Sequence, residues 1–253
     1  MAKWGKLVFA QERCLRLAGK VMQRLGMVHA GARIGIAVSG GVDSWVLVQV
    51  LALRQRIMPF PVELMILHLN PGFDARNHAP LIAWARAQGM ALHAEVTDFG
   101  PRAHSPENQE KSACFYCAHL RRKRLFQLCR QYQLTHLAMG HNADDLIATF
   151  FLNLVQTGKV YGLMPKETYF GGRLTMIRPL ILVEKKLIQQ SARQWRLPVW
   201  ENPCPSKDDT ARRRMLEAAQ TLCQGDRRLL TNLTQGLGRW QIEETLRATV
   251  PKP

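Results

Sequence analysis

Long apolar runs and acidic side chains are both scarce in this chain. No apolar run approaches the roughly 20 residues that a membrane-spanning helix needs, so we expect no membrane span. The 35 Lys and Arg residues outnumber the 19 Asp and Glu residues, which gives a formal net charge of +16 at pH 7. A globular protein this basic usually meets a polyanion, and nucleic acid is therefore the leading candidate partner.

A secretory signal is also missing. Residues 1–30 are cationic but contain no compact apolar core followed by a small-residue cleavage site. We therefore expect a cytoplasmic protein whose six cysteines stay reduced. In that compartment, metal binding or catalysis explains a cysteine better than a disulfide does.

Strand-like and helix-like segments alternate along most of the chain. The apolar patterns predict strands at residues 33–38, 62–69, 91–97, 135–139 and 174–180. They predict helices at residues 3–27, 45–53, 76–88, 114–132, 144–156 and 184–196, with a polar loop at residues 100–112. This alternation predicts an α/β fold with a doubly wound, mostly parallel sheet.

The segments suggest three parts. We expect an amphipathic N-terminal helix within residues 1–30, an α/β domain over residues 31–205 and a basic helical extension over residues 206–253 with a break at Gly225. A homodimer could form through the first helix.

The most informative stretch is the Ser-Gly-Gly-Val-Asp-Ser segment that begins at Ser39, which we call the glycine loop. It differs from the two commoner phosphate loops, G-x-x-x-x-G-K-S/T and G-x-G-x-x-G, which are both absent. Gly40 and Gly41 let the backbone pass close to a ligand, and the N–H groups that open the next helix attract anions. Ser39 and Ser44 add hydroxyl donors, and Asp43 fits such a site if Mg²⁺ bridges it to phosphate. An ordinary turn that caps a helix is the alternative.

Further polar residues follow other predicted strands. His68 ends the second strand, Gly140 and His141 follow the fourth, and Asp144 and Asp145 open the next helix. Ligands gather beyond the carboxyl ends of the strands in such sheets, so we expect these residues to converge with the glycine loop. A core histidine and acidic helix caps are the alternatives.

Three cysteines form a second constellation. Cys114 and Cys117 open a predicted helix, whose start lowers the pKa of a thiol and favours the thiolate form that binds metal. Cys204 lies between two prolines, which stiffen its loop. The spacing leaves open a zinc clip with His119 or Cys129 as fourth ligand, a redox pair and part of an Fe–S site.

Five motifs occur in an order that resembles one family. They are the glycine loop, C-x-x-C-x-x-L-R-R from Cys114, G-H-x-x-D-D from Gly140, I-R-P-L from Ile177, and Cys204. From about residue 30 to residue 205 the chain resembles the tRNA 2-thiocytidine synthetase group of the PP-loop ATP pyrophosphatases. The resemblance implies that residues 31–205 are a PP-loop domain, which splits ATP between its α and β phosphates.

The resemblance also implies the reaction. The enzyme would adenylate the C2 oxygen of a pyrimidine in a tRNA anticodon loop, with cytidine as the expected base, and would replace that oxygen with sulfur. Cys114, Cys117 and Cys204 would hold a 4Fe–4S cluster that has one open iron. A cysteine desulfurase or sulfide would donate the sulfur.

Roles for single residues follow from the same resemblance. The phosphate ligands would be Ser39, Gly40, Gly41, Asp43 and Ser44. The nucleotide would also contact Gly140, His141, Asp144 and Asp145, with Asp144 in a catalytic or Mg²⁺-linked role. His68 would contact adenosine. Arg121, one helical turn after Cys117, would stabilise charge on the adenylate or bind RNA phosphate.

Some features depart from that family or favour others. Val42 stands where the thiocytidine enzymes usually carry lysine, so the loop lacks one phosphate contact. A lysidine-synthetase-like tRNA ligase would share the loop but not use the three cysteines. A non-catalytic RNA-binding protein with a structural zinc clip is the other alternative. His93 and Glu95 echo a zinc deaminase signature, but their period-two strand pattern argues against that site.

Overall fold

A computed structural model describes residues 7–109, 112–206 and 210–249. Within those residues the chain forms six strands and nine helices. The strands are β1 (Arg33–Ala37), β2 (Glu63–Asn70), β3 (Ala91–Val96), β4 (His136–Ala138), β5 (Lys166–Tyr169) and β6 (Leu174–Ile177). The helices are α1 (Phe9–Arg24), α2 (Val42–Gln55), α3 (Ala79–Ala87), α4 (Phe99–Ala103), α5 (Ala113–Gln131), α6 (Ala143–Thr157), α7 (Lys185–Gln194), α8 (Ala211–Leu222) and α9 (Arg227–Thr249).

The six strands form one sheet in the order β3-β2-β1-β4-β6-β5. β1 pairs in parallel with β2 and β4, and only β5 among the described strands runs antiparallel to its neighbour. The predicted doubly wound, mostly parallel sheet is therefore confirmed. Because parallel strands end at the same edge of a sheet, the segments after β1, β2 and β4 all lie at that edge.

Three segments differ from the predictions. The patterns miss β5, a polar strand joined to β6 by a hairpin in which Gly171 and Gly172 have φ of 66° and 86°. The strand predicted at residues 174–180 ends at Ile177, because Arg178 starts a turn in which its carbonyl accepts from the Ile181 N–H at 3.2 Å. A short helix, α4, occupies the start of the expected polar loop.

The core surrounds α2. Trp45, Val46, Leu47 and Val48 follow one another in this helix and are all fully buried, since the sheet, α1 and α7 enclose it. The N-terminal helix packs on α7, and Cys14 Sγ lies 3.2 Å from Ser191 Oγ at that contact. The start of α2, which carries the glycine loop, is thus held on a rigid element.

The C-terminal part consists of two helices. α8 and α9 are separated by a turn at Gly225, whose φ is 73°, as predicted. Both helices pack against α6. Residues 1–6, 207–209 and 250–253 of the predicted terminal parts lie outside the described residues, and the three-part division stays a prediction. No helix in the described ranges is long and apolar enough to cross a membrane.

Candidate active site

The glycine loop is closed by hydrogen bonds among its own residues. Ser44 Oγ accepts from the Ser39 N–H at 3.2 Å and donates to the Gly41 carbonyl at 2.8 Å. Gly41 is also the N-cap of α2. The loop therefore wraps the first turn of α2, where helix N–H groups without intrahelical partners attract anions.

A segment from the far end of the domain clamps this loop. The Trp200 N–H donates to the Gly40 carbonyl at 3.1 Å, and Asn202 Nδ2 donates to the Ser39 carbonyl at 3.0 Å. Asn77 Nδ2 in turn donates to Asn202 Oδ1 at 2.6 Å. Gly40 has a φ of +94°, and an added Cβ would lie 2.3 Å from the Trp200 ring. Only glycine fits at this position.

The second motif docks directly onto the loop. Asn142 caps α6, because its Oδ1 accepts from the N–H groups of Asp144 and Asp145 at 2.8 and 3.3 Å. Its Nδ2 donates to Asp43 Oδ1 at 2.9 Å, which joins the starts of α6 and α2. A Cβ on Gly140 would lie 3.1 Å from the carbonyl carbon of Asp43, so a larger residue here would push the start of α2 away by a few tenths of an ångström.

Three carboxyl groups lie around one lysine. Lys185 Nζ pairs with Asp43 Oδ2 at 2.5 Å. Burial raises the pKa of Asp144, while the Lys185 backbone N–H and side-chain charge oppose that rise. Burial also raises the pKa of Asp145, opposed by a hydrogen bond from the Asn142 N–H. Carboxylates in this setting are the ligands that Mg²⁺ prefers.

A cavity of about 330 Å³ lies between the glycine loop, α5 and the ends of β2, β4 and β6. This volume is typical of a small-ligand site. Apolar side chains of Leu67, Leu69, Met139 and Met176 line one part of it. Four arginines line it as well, namely Arg121, Arg122, Arg178 and Arg212. The cavity therefore combines an apolar surface with a strong positive charge, which suits a nucleotide.

His141 lines this cavity as a neutral imidazole. Its Nδ1 accepts from Arg178 Nε at 3.2 Å. Burial, together with the charges of Arg178, Arg212 and Arg122, lowers the pKa of His141 to about 3. Arg178 is itself buried and pairs with Glu167 Oε2 at 2.6 Å.

His68 lies beneath the loop. It is fully buried, and its Nδ1 donates to the Val38 carbonyl at 2.7 Å. Its ring packs against Trp200, with ring centroids 5.7 Å apart. Burial lowers the pKa of His68 to about 4. In this position His68 supports the loop from behind, and its contact with adenosine stays a prediction.

The three cysteines of the second constellation lie near one another. Cys114 and Cys117 are in the first turns of α5, which Ser112 caps. The thiols of Cys204 and Cys114 both act electrostatically on Cys117. The pKa of Cys117 is raised, contrary to the expectation for a helix start, because burial outweighs the opposing charge of Arg121.

The chemistry of the candidate ligands favours an Fe–S cluster over a zinc ion. Cys129 lies in an apolar cluster with Leu125 and Leu128, and burial raises its pKa to about 12, so it is no fourth zinc ligand. Over the described ranges, no three His, Cys, Asp or Glu side chains converge on a single metal ion. An Fe–S cluster binds each thiolate at a different iron, so its ligands need a shared space and not a common point. The three neighbouring thiols are compatible with such a cluster, and their binding of it stays a prediction.

His93 and Glu95, which echo a zinc deaminase signature, have a structural role. His93 Nε2 lies 3.0 Å from Glu95 Oε2, and Arg124 of α5 donates to both Glu95 oxygens at 2.6 and 2.7 Å. This ion pair fastens α5, and with it the cysteines, to the edge strand β3.

The two constellations share an edge. Arg121 lines the cavity, and it lies close enough to Cys117 for its charge to oppose the rise in the pKa of that thiol. On the other side, the clamp residue Asn202 is two positions before Cys204. The structure therefore brings the glycine loop, Asp144, Asp145 and the cysteines to one region, and it also adds residues that the sequence patterns do not single out. These are Asn142, Lys185, Trp200, Asn202 and Arg212.

One of these additions could have been found from the sequence. Asn142 precedes Asp145 by three positions, which is the spacing of a capping box. Lys185, Trp200 and Arg212 carry no local signal, because only the tertiary fold brings them to the loop.

Comparison with known proteins agrees with this geometry. The family description "PP-loop domain" matches residues 13–218. The fold and the glycine loop therefore define a PP-loop ATP-binding protein.

Individual relatives indicate one family within the PP-loop ATP-binding proteins. The tRNA-cytidine(32) 2-sulfurtransferase of Syntrophotalea carbinolica is 31% identical over 93% of this chain and 92% of its own length. The enzyme of the same name from Geobacter sulfurreducens is 32% identical over 88% of each chain. The chain belongs to this tRNA 2-sulfurtransferase family, as its motifs predict.

A solved structure supports the fold. The U34-tRNA thiolase of Methanococcus maripaludis, solved with its 4Fe–4S cluster, superposes with a TM-score of 0.72 over 95% of this chain and 86% of its own. At 19% identity, this likeness concerns the fold alone.

Proposed function

We propose that this chain is an ATP-dependent tRNA sulfurtransferase that converts a pyrimidine of an anticodon loop, with cytidine the expected base, to its 2-thio form. The observation that carries the proposal is that Arg121 borders both the nucleotide cavity and the cysteine group. An activated oxygen and a sulfur source must meet in this reaction. The names of the relatives, which are tRNA-cytidine(32) 2-sulfurtransferases, support tRNA as the substrate.

The first step activates the base. The C2 oxygen of the pyrimidine attacks the α-phosphorus of ATP, a new O–P bond forms, and the bond to pyrophosphate breaks. Ser39, Ser44 and the N–H groups at the start of α2 hold the departing pyrophosphate. Asp43 and Asp144 would hold Mg²⁺, which when bound would supply positive charge to the pyrophosphate.

The cavity wall stabilises the adenylate. Arg121 and Arg178 offset negative charge that develops on the phosphate oxygens. The neutral imidazole of His141 accepts a hydrogen bond from Arg178 and so orients that guanidinium group. The apolar side chains keep water away from the adenylate, which would otherwise hydrolyse.

The second step replaces oxygen with sulfur. A C2–S bond forms, the C2–O bond breaks, and AMP leaves with the oxygen. Cys114, Cys117 and Cys204 would hold the 4Fe–4S cluster, which when bound supplies the soft metal centre that delivers the sulfur. A cysteine desulfurase or free sulfide is the proposed donor.

Thiolation of tRNA in vitro tests the proposal. The chain, purified without oxygen, is incubated with tRNA, ATP, Mg²⁺ and sulfide, and the nucleosides are analysed by mass spectrometry. We expect a 2-thiopyrimidine together with equal amounts of AMP and pyrophosphate. In cells without the gene, the same nucleoside should be missing. An amine adduct of cytidine would indicate the ligase alternative, and tRNA binding without ATP cleavage would indicate an RNA-binding protein.

The cellular location and the oligomeric state of the enzyme are also proposals. We place it in the cytoplasm, with a homodimer formed through α1. Phe9, at the start of that helix, is 74% exposed and offers an apolar contact for a second copy.

A further inference from the structure

A second cavity meets the nucleotide cavity at Asp43. Its volume is about 750 Å³, and it is lined by Gly41 and Val42 of the glycine loop and by residues of α7 and the segment after it. Three cations, Lys185, Arg193 and Arg196, and two carboxylates, Asp43 and Glu201, lie in its wall. Asp43 lines both cavities, so a ligand that passes along the glycine loop can occupy both.

Lys185 occupies an unusual position for a cation. It is the first residue of α7, where the helix dipole disfavours positive charge. Two acidic groups compensate, because its backbone N–H bonds to Asp144 and its Nζ pairs with Asp43. The side chain remains 35% exposed, so its amino group is accessible from the cavity.

The glycine loop itself offers no cation. Val42, which stands between Gly41 and Asp43, is an uncharged side chain. Val42 and Lys185 line the same cavity. The charge that is missing from the loop is therefore present beside it, on a different helix.

We propose that Lys185 supplies the cation that the glycine loop lacks and binds the β- and γ-phosphates of ATP, which lie along the glycine loop where the two cavities meet. This inference rests on the proposed function, in which ATP is cleaved at the loop. When the triphosphate binds, the ammonium group of Lys185 turns from Asp43 to the phosphate oxygens, and Asp43 would then be free to hold Mg²⁺. Lys185 thus pairs with Asp43 in the protein without nucleotide, and it neutralises the charge of the pyrophosphate group when ATP is bound.

Binding of two nucleotides tests this role. α,β-Methylene-ATP keeps the triphosphate chain but cannot be cleaved between its α and β phosphates, whereas AMP lacks the β and γ groups. For Lys185→Ala we expect the Kd of Mg²⁺–α,β-methylene-ATP to rise about 10- to 100-fold, as for the loss of a charged hydrogen bond. The Kd of AMP should change less than about twofold. The exposed neighbour Lys186→Ala is the matched control and should change neither value.

A rescue variant separates phosphate binding from a structural role. Val42→Lys in the Lys185→Ala background restores a cation to the same cavity and should recover most of the lost affinity for α,β-methylene-ATP. An ion pair that merely fastens α7 would not be rescued in this way. Lys185→Arg, which keeps the charge and the pairing with Asp43, covers the case in which the alanine variant does not fold, and it should keep the preference for α,β-methylene-ATP over AMP.

Two results would overturn the inference. One is an equal loss of affinity for both nucleotides, which would make Lys185 a support of the fold. The other is unchanged affinity for α,β-methylene-ATP. The measurement requires neither tRNA nor sulfur, so it can fail while the unaltered chain still thiolates tRNA, and it can succeed if thiolation is absent.

Discussion

Asn142 donates its Nδ2 hydrogen to Asp43 Oδ1 at 2.9 Å, although 99 residues separate the two positions. The same side chain caps α6 through its Oδ1. A single amide therefore fixes the start of one helix and holds the carboxylate at the start of another. The geometry of the glycine loop depends on a residue outside both the loop and the acidic pair.

Removing this amide should weaken both folding and nucleotide binding. We expect Asn142→Ala to lower the free energy of unfolding by about 1–3 kcal/mol, since a cap and a buried hydrogen bond are lost together. The affinity for Mg²⁺–ATP should fall as well, because Asp43 loses its positioning partner. Urea unfolding and calorimetric titration measure the two effects.

Thr210→Ala is the matched control for that variant. Thr210 caps α8 by accepting from the Arg213 N–H at 3.2 Å, and it lines neither cavity. The Thr210→Ala variant should lose about 1 kcal/mol of folding free energy and keep its affinity for ATP. Equal effects on affinity in the two variants would show that Asn142 acts only as a cap.

The clamp on the loop leads to a second prediction. Gly40→Ala should abolish nucleotide binding and cost several kcal/mol of stability, because the added Cβ would lie 2.3 Å from Trp200 at a φ of +94°. Gly158→Ala has a similar backbone penalty at a φ of +66°, but no atom lies within 4 Å of its added Cβ. We expect that control to cost only about 1–2 kcal/mol and to bind ATP normally.

A double variant isolates the clash. Trp200→Ala in the Gly40→Ala background removes the overlapping ring, so the double variant should be less destabilised than the sum of the single variants. Additive losses, measured by urea unfolding of the four proteins, would refute the close packing of Trp200 on the loop.

The fold was largely predictable because it follows from local patterns. Apolar runs mark β1, β2 and β4, and the glycine loop marks the turn into α2. β5 escapes prediction because its residues, Lys-Glu-Thr-Tyr, are polar and become a strand only by pairing with β6. Propensity cannot reveal a strand whose main support is a neighbour.

The candidate site residues that could be predicted are those that belong to sequence motifs. The loop, the acidic pair and the cysteines each have a recognisable spacing. Their positioning partners do not, since Lys185 reaches Asp43 from 142 positions away and Asn202 reaches Ser39 from 163. Such contacts exist only once the sheet brings the segments together, and the raised pKa of Cys117 likewise reflects burial that no spacing reveals.

Buried histidines predict how stability depends on pH. Burial lowers the pKa values of His68 and His136 to about 4, from an ordinary value near 6.5. Between those values the unfolded chain binds more protons than the folded one, so stability is full above about pH 6.5 and falls as the pH drops. Each histidine contributes at most about 1.4 kcal/mol per pH unit.

Substitution isolates the histidine contribution. Burial raises the pKa values of Asp144 and Asp145, so these groups act with the opposite sign in acid. We therefore expect the unfolding free energy of His136→Gln to fall less steeply from pH 7 to pH 5 than that of the unaltered chain. An unchanged slope in His136→Gln would contradict the prediction.

The cysteine group predicts a separation of metal content from nucleotide binding. Cys117→Ser should lose the iron and the visible absorbance of a protein purified without oxygen, because a cluster site with two remaining thiolates is incomplete. Its affinity for Mg²⁺–ATP should stay within about threefold of the unaltered value, since the proposed phosphate ligands lie on the glycine loop and do not include Cys117. Cys223→Ser is the matched control, as this buried thiol ends α8 and belongs to neither site. It should keep both iron and nucleotide affinity, and retention of full iron by Cys117→Ser would exclude Cys117 as a ligand.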